Sequence, residues 1–284
     1  MQLQTRDRGA LRVRGRALEW GARTYVMGIV NVTPDSFSGD GIEEPDLAVA
    51  FAHTQLERGS DILDVGAEST RPGHAPVAAE TETARLAPVI AAVRRRSPSA
   101  ILSVDTHKEP VLRAAHDAGA DMLNCVWGLP PDLLETALAL KIPVVVMHNK
   151  REANYDGDVM DEVLSFLEEA SGRAVRAGLP AEHVILDPGI GFGKSADHNL
   201  QILGQLPRLV ALGFPTLIGT SRKSTIGKLT GRDPEDRIYG TAATTALAIG
   251  AGIDIVRVHD VSQTKDVASV ADAIVRNWRP PGWT

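Results

Sequence analysis

Within ten residues the segment LDPGIGFGKS, Leu186 to Ser195, places a carboxylate, three glycines, an aromatic ring and an ammonium. A Walker phosphate loop needs glycine at position 188, where proline stands, and the spacing G-x-G-x-G over Gly189, Gly191 and Gly193 fails the dinucleotide fingerprint G-x-G-x-x-G. What remains is glycine-rich backbone beside Asp187, which leaves room for a flat ligand to lie close to the chain. Two further segments carry cations: Gly219-Thr220-Ser221-Arg222-Lys223 and Arg257-Val258-His259-Asp260. Lys223 and Arg257 each follow an apolar run, the position at which a helix N-terminus and nearby cations hold a phosphate. Two polar stretches, NVTPDSFSGDG from Asn31 and GAESTRPG from Gly66, are long enough to clamp a substrate.

These residues lie at the ends of short β-branched runs that alternate with amphipathic stretches. Eight such runs are present: TYVMGIVN, DILDVG, ILSVDT, DMLNCV, PVVVMH, HVILDP, PTLIGTS and IDIVRVH. Near-continuous apolar strands such as VVVM suit a parallel sheet buried on both faces. Their polar ends are Asn31, Glu68, Asp105, Asn124, His148, Asp187, Ser221 and Arg257. Eight units after residue 23 match the roughly 250 residues of a (β/α)8 TIM barrel, whose active sites sit at the C-terminal strand ends. The expected organisation is a short N-terminal β-hairpin over residues 1–23, turning at Arg14-Gly15 or Trp20-Gly21 and covering the barrel's bottom. A single barrel domain over 24–284 follows. A doubly wound open sheet is the alternative, and eight units suit it less well.

An internal echo, Gly-x-Asp, opens the second, fourth and eighth runs at Gly59, Gly119 and Gly252. Alternate strands of a barrel fill the same interior layers, so this register puts Asp64, Asn124 and Arg257 at one depth and Asp64 within reach of the Arg257 guanidinium. Cys125, next to Asn124, then points outward to the helices. Ser262 is expected to cap the last helix, and Arg94, Arg95 and Arg96 read as solvated charges at a helix end.

The composition sets outer bounds. The 284 residues carry a net charge of −6, which argues against a general nucleic-acid binder, and no apolar run is long enough for a membrane span. One cysteine excludes an internal disulfide and suits a reducing, cytoplasmic setting.

In order and spacing, NVTPDSFSGDG, DVGAESTRPG, SVDT, LDPGIGFGK, GTSRKS and RVHDV resemble the dihydropteroate synthase family. The resemblance implies condensation of 6-hydroxymethyl-7,8-dihydropterin pyrophosphate with 4-aminobenzoate, with Mg²⁺ as cofactor and a homodimer as the assembly. It places the pterin on Asp105, Asn124, Asp187 and Lys223 above Met147. Pyrophosphate falls on Arg71, Arg257 and His259, with Asn31 as metal ligand. Aminobenzoate falls on Thr70, Pro72, Phe192, Ser221 and Lys223, with Phe37 packed against it. Catalysis would rest on Asp105, Asp187, Lys223, Arg257 and His259. Cys125 departs from the family pattern, in which aspartate is common there. Two rival readings are a methyltransferase passing methyl from tetrahydrofolate to a corrinoid protein and a silent pterin-binding paralogue.

Overall fold

The computed structural model describes residues 8–33, 41, 42, 44–68 and 76–283. A hairpin of β1 (Ala10–Val13) and β2 (Arg16–Glu19) comes first. The barrel strands are β3 (Tyr25–Asn31), β4 (Ile62–Gly66), β5 (Ile101–Asp105), β6 (Met122–Cys125), β7 (Val144–Met147), β8 (Val184–Asp187), β9 (Leu217–Ile218) and β10 (Ile255–Val258). Between them run α1 (Pro45–Glu57), α2 (Ala79–Arg96), α3 (Glu109–Ala118), α4 (Pro131–Leu140), α5 (Val159–Ala177), α6 (Ala196–Gly204), α7 (Leu206–Val210), α8 (Ser224–Thr230) and α9 (Ile238–Ala251), with α10 (Val261–Val275) last. None of the described helices is long and apolar enough to cross a membrane.

The eight barrel strands form one parallel sheet in the order β8-β7-β6-β5-β4-β3-β10-β9. A single bridge between Leu186 and Thr216 joins its two edges, so the sheet closes into the expected (β/α)8 barrel rather than an open one. Strand alternation divides the core in two. Outward residues such as Val65, Val104, Cys125, Val146 and Val258 pack under the helices. Inward residues Met27, Ile62, Ile101, Met122, Val145, Ile185, Leu217 and Ile255 fill the bottom of the barrel together with Leu11, Leu18 and Trp20 of the hairpin.

The hairpin turns at Arg14-Gly15, with φ of 52° and 74°, the two positive angles of a tight two-residue turn. It is fastened to the barrel by the aspartates of the Gly-x-Asp echo. Asp254 takes both Arg8 nitrogens at 2.6 and 2.7 Å, Asp121 takes Arg14 Nε at 2.6 Å, and Asp61 takes the Arg23 guanidinium at 2.6 and 3.0 Å. Each carboxylate also accepts a backbone N–H from a neighbouring strand, from Thr216, Leu102 and Val26 in turn. The echo therefore has two outputs, a floor clamp at its aspartates and, three residues on, the polar layer described below. Arg94 corrects the surface reading of its helix end: it bonds Asp121 at 2.6 Å and the Gly119, Pro98 and Ala100 carbonyls.

Leu18 is 1% exposed in this floor. Leu18→Ala is expected to lower stability by about 2–5 kcal/mol through the cavity it leaves. Urea unfolding measures that loss, and the Michaelis constants of the folded enzyme should not change.

Candidate active site

Above the apolar floor the interior turns polar on the alternate strands that the echo marks. Asp64 Oδ2 accepts from Arg257 Nε at 2.6 Å and from Asn124 Nδ2 at 2.8 Å, so the three residues meet in one layer as their register requires. Arg257 also reaches Asp105 Oδ2 from its Nη2 at 2.9 Å. Burial pushes the Asp105 carboxyl up to about 7, with Arg257 opposing and Asp64, Glu82 and Glu68 reinforcing. Burial works against the Arg257 charge, but Asp64 and Asp105 outweigh it and raise its pKa. Asp64 Oδ1, Asp105 Oδ1 and Ser103 Oγ are buried without a hydrogen-bond partner, polar capacity that folding leaves unused.

Asp187 closes β8, with Met147 beside it in register at the end of β7. Its Oδ1 accepts from Gly189 N at 2.7 Å, and burial raises its pKa while Lys223 lowers it. The glycines that follow are a steric requirement. At Gly189 a Cβ would stand 1.9 Å from the His148 carbonyl oxygen, and at Gly193 2.1 Å from that of Lys150. Lys223 comes from the loop after β9. Its Nζ donates to the Ile190 carbonyl and lies 4.5 Å from the centre of the Phe192 ring. Burial pulls the ammonium down to about 8 against the attraction of Asp187.

Ser221, Arg222 and Lys223 diverge because Arg222 adopts a left-handed backbone, φ 59°. Ser221 Oγ lies 2.8 Å from His259 Nδ1, and Arg222 makes a two-point pair with Asp260 at 2.6 and 3.0 Å. Together they fix the turn from β10 into α10. From α1, the buried Gln55 Nε2 donates to the His259 carbonyl at 3.0 Å. Ser262 does not cap α10: the helix begins at Val261 with Asp260 at the cap position, so Ser262 lies inside the first turn. Asn31 ends β3, the strand paired with β10, which puts its hard carboxamide oxygen donor on the same flank as His259.

Thr70, Arg71, Pro72 and Phe37 lie outside the described residues. Glu68 and Val77, which flank the second polar stretch, are joined by a 2.8 Å bond from Val77 N to Glu68 Oε1. Lys108 then ties Glu68 to the buried Glu82 at 2.6 and 2.5 Å. The sequence marked Glu68 and His148 only as polar strand ends; nothing in it flagged Lys108 and Glu82 as partners of the first or Lys194 as partner of the second.

Cys125 faces the helices and is fully buried, its thiol pushed up to about 12 by burial. Cys125→Ala is expected to leave turnover within twofold. Cys125→Asp would put a carboxylate into apolar packing and cost several kcal/mol of stability. Thermal melts and steady-state rates on both variants check this, and a faster, equally stable aspartate variant contradicts the orientation.

Residues 27–259 match the family model of pterin binding enzymes. A dihydropteroate synthase of Synechocystis sp. is 44% identical over 272 residues, 92% of either chain. Among solved structures, Xanthomonas albilineans dihydropteroate synthase with 4-aminobenzoic acid superposes with a TM-score of 0.87 at 44% identity, covering 95% of this chain and 99% of that one. The Clostridium difficile enzyme in the presence of pteroic acid gives 0.85 at 43% identity, covering 90% and 98%. With these motifs on these strand ends, the chain belongs to the dihydropteroate synthase family of pterin-binding barrels.

Proposed function

We propose that the chain condenses 6-hydroxymethyl-7,8-dihydropterin pyrophosphate with 4-aminobenzoate, giving 7,8-dihydropteroate and pyrophosphate. The observation that carries the reading is the buried group formed by Asp105, Asn124, Asp187 and Lys223 around Arg257. A pterin presents an amino-pyrimidinone edge of alternating donors and acceptors, which two carboxylates, a carboxamide and an ammonium complement. Buried groups left unpaired cost free energy, so the same set rejects rings that lack the pattern.

Substitution at the pterin methylene breaks a carbon–oxygen bond, leaving positive charge on the ring and negative charge on the departing pyrophosphate. In this reading Asp105 and Asp187 stabilise the first, and Arg257 and His259, at the entry to α10, the second. The aminobenzoate nitrogen then attacks as a neutral amine, forming the carbon–nitrogen bond and releasing one proton to solvent or the departing pyrophosphate, with Thr70, Pro72, Phe192, Ser221 and Lys223 as its site and Arg71 joining the pyrophosphate site. No side-chain nucleophile is required.

Among the described residues no group of three or more His, Cys, Asp or Glu forms a metal cage. Mg²⁺ is commonly held chiefly by phosphate oxygens and water, and Asn31, with its hard carboxamide oxygen at the end of β3, would be the protein donor. When bound, the ion would neutralise charge on the leaving group.

The test is release of pyrophosphate from the pterin substrate. It is expected only with both 4-aminobenzoate and Mg²⁺ present. Binding without release identifies a silent paralogue, and methyl transfer to a corrinoid protein would identify the other rival.

The homodimer proposal draws support from the outer faces of α9 and α10, where Tyr239 (86% exposed), Leu247, Val270 and Ile274 form apolar surface. Sedimentation velocity is expected to give a dimer mass that Val270→Glu shifts toward the monomer.

A further inference from the structure

The mechanism gives no task to Lys194, the last residue of LDPGIGFGK. Its Nζ has three acceptors around it: His148 Nδ1 at 2.9 Å, the His148 carbonyl at 3.2 Å and the Phe192 carbonyl at 3.0 Å. Burial pulls its pKa down to about 7 against the attraction of Asp187; as the ammonium it has three protons, which this set saturates. His148 is 2% exposed, with its ring edge-on to Phe166. Burial and the neighbouring Lys194 and Lys150 push its pKa down to about 3, so the imidazole is neutral and Nδ1 is available as acceptor.

Two of the three acceptors belong to the residue that follows β7, and the third to the glycine loop. Lys194 therefore fastens the loop 188–194 against the end of β7. The loop has no slack there, since a Cβ at Gly189 or Gly193 would collide with the backbone of residues 148–150, and the Tyr155 hydroxyl adds a 2.9 Å bond to the Gly193 carbonyl. Phe192 is the side chain this fastening orients, with its ring under the Lys223 ammonium.

We propose that Lys194 is a positioning residue for the aminobenzoate subsite: by joining the Phe192 carbonyl to His148 it holds the Phe192 ring where the second substrate must stack. The inference rests on the function proposed above. The three bonds of Lys194 go to residues 148 and 192 and none to Asp105, Asn124, Asp187 or Lys223, so aminobenzoate binding should be more sensitive to it than pterin binding.

The experiment compares wild type, Lys194→Met, Lys194→Gln and Lys194→Arg. Wild-type pyrophosphate release is measured first, and its absence would overturn the functional reading alone. For Lys194→Met the KM for 4-aminobenzoate is expected to rise about tenfold, with the dissociation constant of the pterin pyrophosphate and kcat at saturation changed less than threefold. Lys194→Arg, which retains charge and donors, should recover most of the KM. Lys194→Gln keeps two donors and gives the same direction at several-fold, which preserves the test if the methionine variant does not fold. Amide hydrogen exchange at Gly191 and Phe192 gives an activity-independent readout and should quicken in Lys194→Met. Equal weakening of both substrates, or an unchanged aminobenzoate KM with unchanged exchange, overturns the proposal.

Discussion

Lys223→Ala is expected to weaken both substrates, each by about 10- to 100-fold. The ammonium faces Asp187 and the Ile190 carbonyl on one side and the Phe192 ring on the other, so one group stands between the two subsites. A hydrogen bond involving a charged group contributes about 1.5–3 kcal/mol, and about 1.4 kcal/mol is tenfold in affinity. The same site predicts a pH dependence. Burial lowers the Lys223 pKa to about 8, so the free enzyme carries the ammonium below that pH and loses it above. Asp105, pushed up to about 7, is ionised above that pH, so affinity for the pterin substrate should be greatest between about 7 and 8 and fall as pH rises through about 8. Calorimetric titration from pH 6.5 to 9.5 measures both effects. In Lys223→Ala the residual affinity should lose its alkaline limb, and weakening of only one substrate would show that the side chain serves one subsite.

Asp64→Ala is expected to have the second large effect although the side chain is fully buried. One carboxylate oxygen orients both Arg257 and Asn124, a cation and a carboxamide assigned to different parts of the substrate. Removing one member of a buried ion pair costs about 3–5 kcal/mol when the other charge is left alone; Arg257 keeps Asp105 at 2.9 Å, so the loss should fall at the lower end of that range. Denaturant unfolding should register that loss, and turnover of the remaining folded enzyme should fall on the order of 100-fold as the guanidinium shifts toward Asp105 alone. The double variant Asp64→Ala, Arg257→Met separates the two roles. It should remain inactive, since the anion contact is not restored, and its stability loss should differ from the sum of the single losses because Arg257 bonds both Asp64 and Asp105. Independent, additive losses would contradict the coupling.

The eight strands and their polar ends were legible because a buried parallel strand has a simple signature, an apolar run broken where it meets solvent. The Asp64 contact was legible because a repeated Gly-x-Asp fixes register, and register fixes which alternate residues share an interior layer. The aspartates of that same echo were harder. Asp121 and Asp254 hold Arg14 and Arg8, partners more than a hundred residues away with no periodic relation to them. Arg94 shows the same limit: a cation on a helix end reads as solvated until the backbone carbonyls of a neighbouring loop are known to surround it. Lys194 was hidden differently. It stood in a motif whose glycines and aspartate accounted for the segment, and only the position of His148 reveals what the amine touches. The placement of Arg71, Thr70 and Pro72 rests on the family motif, as they fall outside the described residues.

The ring of strands is completed by one bridge, Leu186 to Thr216, beside the two-residue strand β9. Asp187 is the next residue on one side of that seam, and Lys223 leaves the loop on the other. A heterocycle gripped by both would span the weakest join in the cylinder and act as its keystone. Substrate would then do mechanical work for the fold as well as undergo chemistry, holding shut the staves between which it lies.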